Sequence, residues 1–183
     1  PEAMLNLSEM YYSDPSEDSQ VRGFEWLRKA TLASGNSAVL EYKLGMSYLN
    51  GTGVDKDVES SVKWLTKAAL KKFIDANYNL GLIYEGKYGE GLNLRMAAKH
   101  YLQAAELGDS GAQANLGALY INGTGVLQDY VKGYMWSNIA AARGDKTGRK
   151  NRDDVLRRLT PQERQKAQED SSRCMEAKKF KNC

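Results

Sequence analysis

Apolar residues recur along this chain with two nested periods. Over short segments they fall three, four and seven positions apart, which is one face of an α-helix. Over longer stretches the pattern returns every 36 residues, at Gly45, Gly81 and Gly117 and at Tyr48, Tyr84 and Tyr120. The segment Leu44-Gly45-Met46-Ser47-Tyr48-Leu49-Asn50-Gly51-Thr52-Gly53-Val54 reappears as Leu116-Gly117-Ala118-Leu119-Tyr120-Ile121-Asn122-Gly123-Thr124-Gly125-Val126. A weaker copy runs from Leu80-Gly81 through Tyr84 to Gly89. A fixed period of this length predicts stacked supersecondary units.

Each unit reads as helix, turn and helix. In the first helix of the second unit Leu40, Leu44, Gly45 and Tyr48 share one face. A glycine inside a helix costs about 1 kcal/mol against alanine. Its recurrence at one phase predicts close approach of a neighbouring helix. Asn50-Gly51-Thr52-Gly53 then breaks the helix, and Asp57 stands where a helix N-cap belongs. Val62, Leu65, Ala68 and Ala69 mark the second helix, beside Trp64. Trp136 and Ala140 repeat that marking, and Gly108 and Gly144 end the second helices of the third and fourth units. A degenerate first unit carries Ala3, Leu7 and Tyr11, with Ser8 at the glycine position, a turn at Asp14-Pro15-Ser16, and Trp26 and Ala30 in its second helix. Because Ala3 lies so near Pro1, the array is expected to start further upstream. The predicted units span about 3–37, 38–74, 75–110 and 111–144. Beyond them, 145–183 is read as a cap: a short helix over Arg149–Leu159, then a helix opened by Thr160-Pro161-Gln162-Glu163 and running to about Lys178.

Composition narrows the class without naming a chemistry. The 183 residues are 42% hydrophobic, enough for units that bury their apolar faces against neighbours. No apolar run approaches the roughly 20 residues that span a bilayer. The chain opens at Pro1 without an initiator methionine, so it is expected to be a processed or trimmed product. From Arg143 onward there are 13 Lys/Arg and 7 Asp/Glu, a balance of +6, against 13 and 16 before it. The two signs are interspersed and no aromatic ladder accompanies them, which favours a solvated helix face over a nucleic-acid site.

Candidate chemistry is sparse. Gly51-Thr52-Gly53 resembles a phosphate loop only superficially, since no strand precedes it and it recurs at Gly123-Thr124-Gly125 as a structural turn would. His100 is the single histidine and stands at the phase of Trp64 and Trp136, a core position. It has no nucleophile or metal-ligand cluster beside it, so neither catalysis, a metal nor a cofactor is expected. Cys174 and Cys183 are the only cysteines. A disulfide between them would anchor the tail and imply an oxidising compartment; the alternative is two reduced cytosolic thiols.

Leu44-Gly45, Tyr48, Gly51, Gly53-Val54, Asp57, Trp64 and Ala68-Ala69 resemble the Sel1-like repeat, a relative of the tetratricopeptide repeat. Leu116-Gly117, Tyr120, Gly123, Gly125-Val126, Asp129, Trp136, Ala140-Ala141 and Gly144 carry the same pattern. The third unit departs from it with Lys87-Tyr88-Gly89-Glu90-Gly91 in the turn, and the second unit has Lys72 in place of the terminal glycine. The resemblance implies an all-α, right-handed α-solenoid of about four helix-turn-helix repeats with a C-terminal helical cap. It implies non-catalytic protein binding, as in adaptors and scaffolds. Some exported bacterial members resemble immunity proteins that neutralise secreted antibacterial toxins such as phospholipases. That is the sharpest expectation here, with a periplasmic location and a toxin or effector enzyme as partner. A general envelope scaffold, a cytoplasmic adaptor and a cell-wall hydrolase are the alternatives. Repeats of this type line a groove with non-core positions of their first helices. Those phases give Tyr42, Met46, Leu49 and Asn50, then Tyr78, Leu82 and Glu85, then Ala118 and Asn122. Tyrosine and methionine suit protein interfaces, while Tyr42 and Tyr78 also sit where aromatics pack between repeats.

Overall fold

The computed structural model describes residues 1–89, 91–177 and 180. Among them the chain is all-helical, with ten helices in the order α1 (Glu2–Tyr12), α2 (Glu17–Ser34), α3 (Ala38–Asn50), α4 (Val58–Leu70), α5 (Ile74–Tyr84), α6 (Leu94–Glu106), α7 (Ser110–Asn122), α8 (Tyr130–Ala142), α9 (Lys146–Leu156) and α10 (Pro161–Ala177). They form two compact units, Pro1–Ala76 and Asn77–Cys183. In the first unit α1 packs on α2, α2 on α3 and α3 on α4. In the second, α6 packs on α7, α7 on α8, and both α7 and α8 on α9.

The helical glycines mark close approach. A Cβ on Gly45 would lie 2.9 Å from Leu65 Cγ. On Gly81 it would overlap the Tyr101 ring, and on Gly117 the Ser137 hydroxyl. The filling side chain is thus always twenty positions downstream: 45 to 65, 81 to 101, 117 to 137. The first repeat solves the same contact differently. Ser8 stands at the glycine position and donates its hydroxyl to the Gly23 carbonyl at 2.8 Å, and Gly23 itself makes room for the Tyr12 ring.

The turns follow one hydrogen-bond scheme. Gly51 and Gly123 close α3 and α7 in the left-handed region, with φ of 71° and 66°. Thr52 and Thr124 amides then donate to the Ser47 and Leu119 carbonyls at 3.0 Å. The second glycine of each turn answers a packing demand as well. A Cβ on Gly53 would strike the Gln20 carbonyl, and one on Gly125 the Leu94 carbonyl. The divergent third turn keeps the scheme. Lys87 N donates to the Leu82 carbonyl, Asn93 N to the Tyr84 carbonyl, and Gly86 rather than residue 87 takes the positive φ. Asp57, Asn93 and Asp129 then cap the following helices through Ser60, Met96 and Lys132 amides at 2.9, 3.1 and 2.9 Å. Each such bond satisfies a donor that the helix start leaves open.

Three positions of the first helices of repeats two to four, spaced i, i+4 and i+7, form a core stripe. They are Leu40, Leu44 and Ser47 in α3, Ala76, Leu80 and Ile83 in α5, and Ala112, Leu116 and Leu119 in α7, all at most 6% exposed. One position in the same rows is polar and still buried, and each example has a partner. Glu41 meets Lys71 at 2.6 Å, Asn77 meets His100 at 3.2 Å, and Gln113 Nε2 donates to the Ala105 carbonyl at 3.1 Å.

Past the repeats, the short helix starts at Lys146 rather than Arg149. The reason is Asp145, whose carboxylate accepts from Gly148 N at 2.7 Å and caps the helix earlier. Thr160 and Glu163 form the expected capping box: Thr160 N donates to Glu163 Oε2 at 2.9 Å, and Glu163 N donates back to the Thr160 hydroxyl at 3.3 Å. The Thr160 amide, and the Thr160 hydroxyl that also donates to Glu163 Oε2 at 2.8 Å, hold the Glu163 carboxyl below its ordinary pKa. Val155, Leu159 and Ala167 bury themselves with Ile121 and Tyr134, and Cys174 and Phe180 join the core around α6, α7 and α8. Cys174 is buried, while Cys183, its expected disulfide partner, lies outside the described residues.

Candidate functional site: a cleft between the first helices of two repeats

In the first unit, α1 and α3 bound an open cleft of about 400 Å³. Three of the sequence-derived residues, Tyr42, Met46 and Asn50, line it together. They are successive turns of one α3 face, spaced i, i+4 and i+8. Leu5, Ser8, Glu9 and Tyr12 of α1 form the facing wall. Tyr42 and Met46 are half-buried and Asn50 is exposed. The Tyr42 ring also leans on Phe73, with centroids 4.9 Å apart, so it packs and lines the cleft at once.

Polar groups in the cleft are tied to one another. Tyr12 Oη and Ser47 Oγ lie 3.2 Å apart, and burial pushes the Tyr12 phenol above its ordinary pKa. Lys43 of α3 pairs with Glu9 of α1. Both partners of that pair are well exposed, so it adds little stability and serves to fix the rim. The result is a preorganised recess with aromatic and thioether walls, an exposed amide and a charged edge. Such a recess is suited to taking an apolar side chain and to hydrogen-bonding the backbone that carries it.

Leu5 and Glu9 occupy the phases of Tyr42 and Met46 in the preceding repeat. Reading those phases in repeats two to four only is what left α1 out of the predicted site. Applied to the degenerate first repeat, the same rule finds both residues.

The remaining sequence-derived residues lie elsewhere. Leu49 is 1% exposed, so it is a core residue and no contact surface; it sits on the α3 face opposite solvent. In the second unit Tyr78 is half-buried, 6.1 Å from the Tyr101 ring, and covers Gly111 at the start of α7. Burial, reinforced by Asp109, raises its pKa. Leu82 packs against the core of that unit. Glu85 accepts the Tyr101 hydroxyl at 2.7 Å and borders a small recess with Gly86, Gly89, Gly91 and Leu92. Ala118 is half-buried and Asn122 exposed.

His100 has a packing role. Its ring is 8% exposed, stacks on Tyr84 at 5.6 Å with planes 7° apart, and meets Asn77 through Nδ1. Burial, with Lys99 nearby, drives its pKa down to about 4. No group of three metal-ligating side chains occurs among the described residues, and no helix there is long and apolar enough to cross a membrane.

Known proteins repeat this architecture. The alginate biosynthesis protein AlgK of Pseudomonas syringae pv. tomato is 28% identical over 142 residues, covering 78% of this chain and 30% of that protein. The ERAD-associated E3 ubiquitin-protein ligase component HRD3B of Arabidopsis thaliana is 33% identical over 97 residues, or 52% of this chain and 15% of its own. A crystal structure of a Sel1 repeat protein from Oxalobacter formigenes superposes with a TM-score of 0.71 at 30% identity, covering 84% of this chain and 63% of that one. The chain thus spans less than two thirds of each of these relatives. The Sel1 repeat pattern itself matches residues 1–34, 38–73, 74–109 and 110–145, and this chain belongs to the Sel1 repeat family.

Proposed function

We propose that this chain is a non-catalytic protein-binding module of the bacterial periplasm and that the cleft between α1 and α3 is its contact site. Sel1 repeat proteins mediate protein–protein interaction. The observation that carries the reading is the convergence of Tyr42, Met46 and Asn50 with Leu5 and Tyr12 around one preformed recess. A rigid recess of this kind loses little conformational entropy on binding. The sharper form is an immunity protein that docks on a secreted antibacterial toxin, such as a phospholipase, and covers its active site. The second form is an envelope scaffold. It is favoured by the likeness to AlgK, an alginate biosynthesis protein, and to HRD3B, a component of a ligase.

The test is affinity capture from bacterial envelope extract, read by mass spectrometry, with a Tyr42→Ala/Met46→Ala variant alongside. Immunity expects one dominant enzyme, inhibited at one-to-one stoichiometry and released by the double variant. Several partners without inhibition support the scaffold. Capture undiminished by the variant overturns the cleft as the contact site. Thiol titration of native material tests the compartment: no titratable thiol supports the periplasm, and two free thiols place the chain in the cytoplasm.

A further inference from the structure

Helix α9 packs on α7 and α8. It does so through Gly148 and Val155, both buried, and through Asn151, whose Nδ2 donates to the Ala114 carbonyl at 3.1 Å. The opposite face carries Lys146, Arg149 and Lys150, spaced i, i+3 and i+4 and all exposed. These cations oppose the helix rather than support it. Like charges one turn apart repel, and positive charge in the first turn runs against the helix dipole. The first turn of α9 holds no acid to offset them.

The surroundings of α9 leave that charge unmatched. Four acids lie between residues 110 and 158, and each is committed. Asp129 and Asp145 cap α8 and α9 through the Lys132 and Gly148 amides. Asp153 holds Arg152 at 2.7 Å, and Asp154 holds Arg157 at 2.6 Å. Helix α7 has no charged residue, and α8 has only Lys132. On α10, which packs against α8, Glu163 closes its capping box, Glu169 accepts from Gln165 and Asp170 holds Arg173, which leaves Glu176. Lys146, Arg149 and Lys150 meet no carboxylate among the described residues.

We propose that this face of α9 is a docking surface for an acidic segment of a partner protein, whose carboxylates pair with Lys146, Arg149 and Lys150. It is a second contact besides the cleft between α1 and α3, recognised by charge rather than by apolar fit. Asp153 and Asp154, one turn further along, select a discrete acidic cluster over a continuous polyanion. A phosphate backbone or an anionic bilayer following the helix would run into both carboxylates. Charge complementarity of this kind sets encounter rate and register more than raw affinity.

The probe is a rhodamine-labelled peptide of alternating Asp and Glu, titrated with the full chain at low salt and followed by fluorescence anisotropy. Lys146→Gln/Arg149→Gln/Lys150→Gln should weaken binding roughly tenfold, and raising salt to about 0.2 M should weaken it comparably. Arg22→Gln/Arg28→Gln/Lys99→Gln removes the same charge from other exposed positions and should leave binding within about twofold. Because the three α9 cations oppose the helix dipole, their variant should hold Tm or raise it by roughly 2 °C. Equal weakening by both triple variants would mean attraction by net charge alone. A Tm several degrees lower in the α9 variant would mean that the cations serve the fold. Tighter binding of single-stranded DNA or of phosphatidylglycerol vesicles, lost in the α9 variant, would give the surface to a polyanion. Each of these results overturns the proposal, as does a peptide that does not bind.

Discussion

The repeat over 38–73 and the one after it share a pattern, but they spend the same positions differently. Tyr42 lines an open cleft, while its counterpart Tyr78 lies over Gly111 and beside Tyr101. Met46 lines the cleft, while Leu82 packs against a core. Trp64 is half-buried under the Lys67 ammonium at 3.9 Å, whereas His100 is enclosed and stacked on Tyr84. Leu65 fills the space at Gly45, and the larger Tyr101 fills it at Gly81. Phase along the repeat therefore decides where a side chain points. The size of the residue it meets decides whether that position becomes surface or interior.

The largest effect should come from the helical glycines. Gly81→Ala sets a methyl into the rigid, fully buried Tyr101 ring, whose hydroxyl is already anchored on Glu85. Overpacking of this kind costs about 3 kcal/mol. Gly45→Ala meets the more adaptable Leu65 and should cost about 2 kcal/mol. Urea denaturation of both variants measures the difference. Equal losses would show that ring rigidity is not what separates the two repeats.

Next in size is a pH effect confined to the later repeat. His100 is held neutral, with its pKa near 4 in the folded chain against about 6.5 unfolded. Above pH 6.5 both states are neutral and the group costs nothing. Between pH 6.5 and 4 the unfolded chain takes up the proton first, so stability falls as pH falls. The shift corresponds to about 3 kcal/mol at most, and residual solvent screening reduces it to about 2 kcal/mol. A His100→Phe variant retains an aromatic ring at the Trp64 phase and should lose that component. Thermal unfolding from pH 7.5 to 4 would then show a shallower decline than the parent, and parallel curves would refute the assignment.

Much of this was legible in the spacing of residues. The 36-residue period places α3, α5 and α7, Asp57 and Asp129 announce their caps, and Gly45, Gly81 and Gly117 announce close packing. Leu49 was not legible, because an i+4 neighbour of Gly45 lies on the boundary between two faces, and only the structure shows it to be interior. Leu5 and Glu9 were legible too, once the phases of Tyr42 and Met46 are carried into the first repeat, where Ser8 stands at the glycine position. The fate of Tyr78 depended on Gly111, a contact 33 positions away that no local periodicity encodes.

A smaller change probes the end of the earlier repeat. Lys72 stands where the next two repeats have Gly108 and Gly144, and it adopts φ of 61°. The left-handed region costs a residue with a Cβ about 1 kcal/mol. Lys72→Gly should relieve that cost and raise stability by about 1 kcal/mol, less the greater freedom of glycine in the unfolded chain. A shift of Tm upward by roughly 2 °C would bear this out, and a fall would mean that the Lys72 side chain supplies more than the strain removes.

Gly111→Ala sharpens the comparison most directly while changing stability least. Alanine within α7 gains about 1 kcal/mol in helix propensity. Its methyl would lie 3.2 Å from Tyr78 Cε2 and 3.3 Å from the hydroxyl oxygen, so the ring must give by a few tenths of an ångström. That crowding, with the burial the ring gives up, offsets the propensity gain on the order of 1 kcal/mol. The informative readout is therefore Tyr78 itself. Its phenol, raised mainly by burial, should titrate closer to the ordinary tyrosine value in the variant. Ultraviolet titration of parent, Gly111→Ala and Tyr78→Phe isolates that one phenol. A lowered pKa at unchanged Tm would mean that one glycine keeps the second unit from exposing a tyrosine as the first unit does. An unchanged pKa would mean that the ring is held by Tyr101 alone.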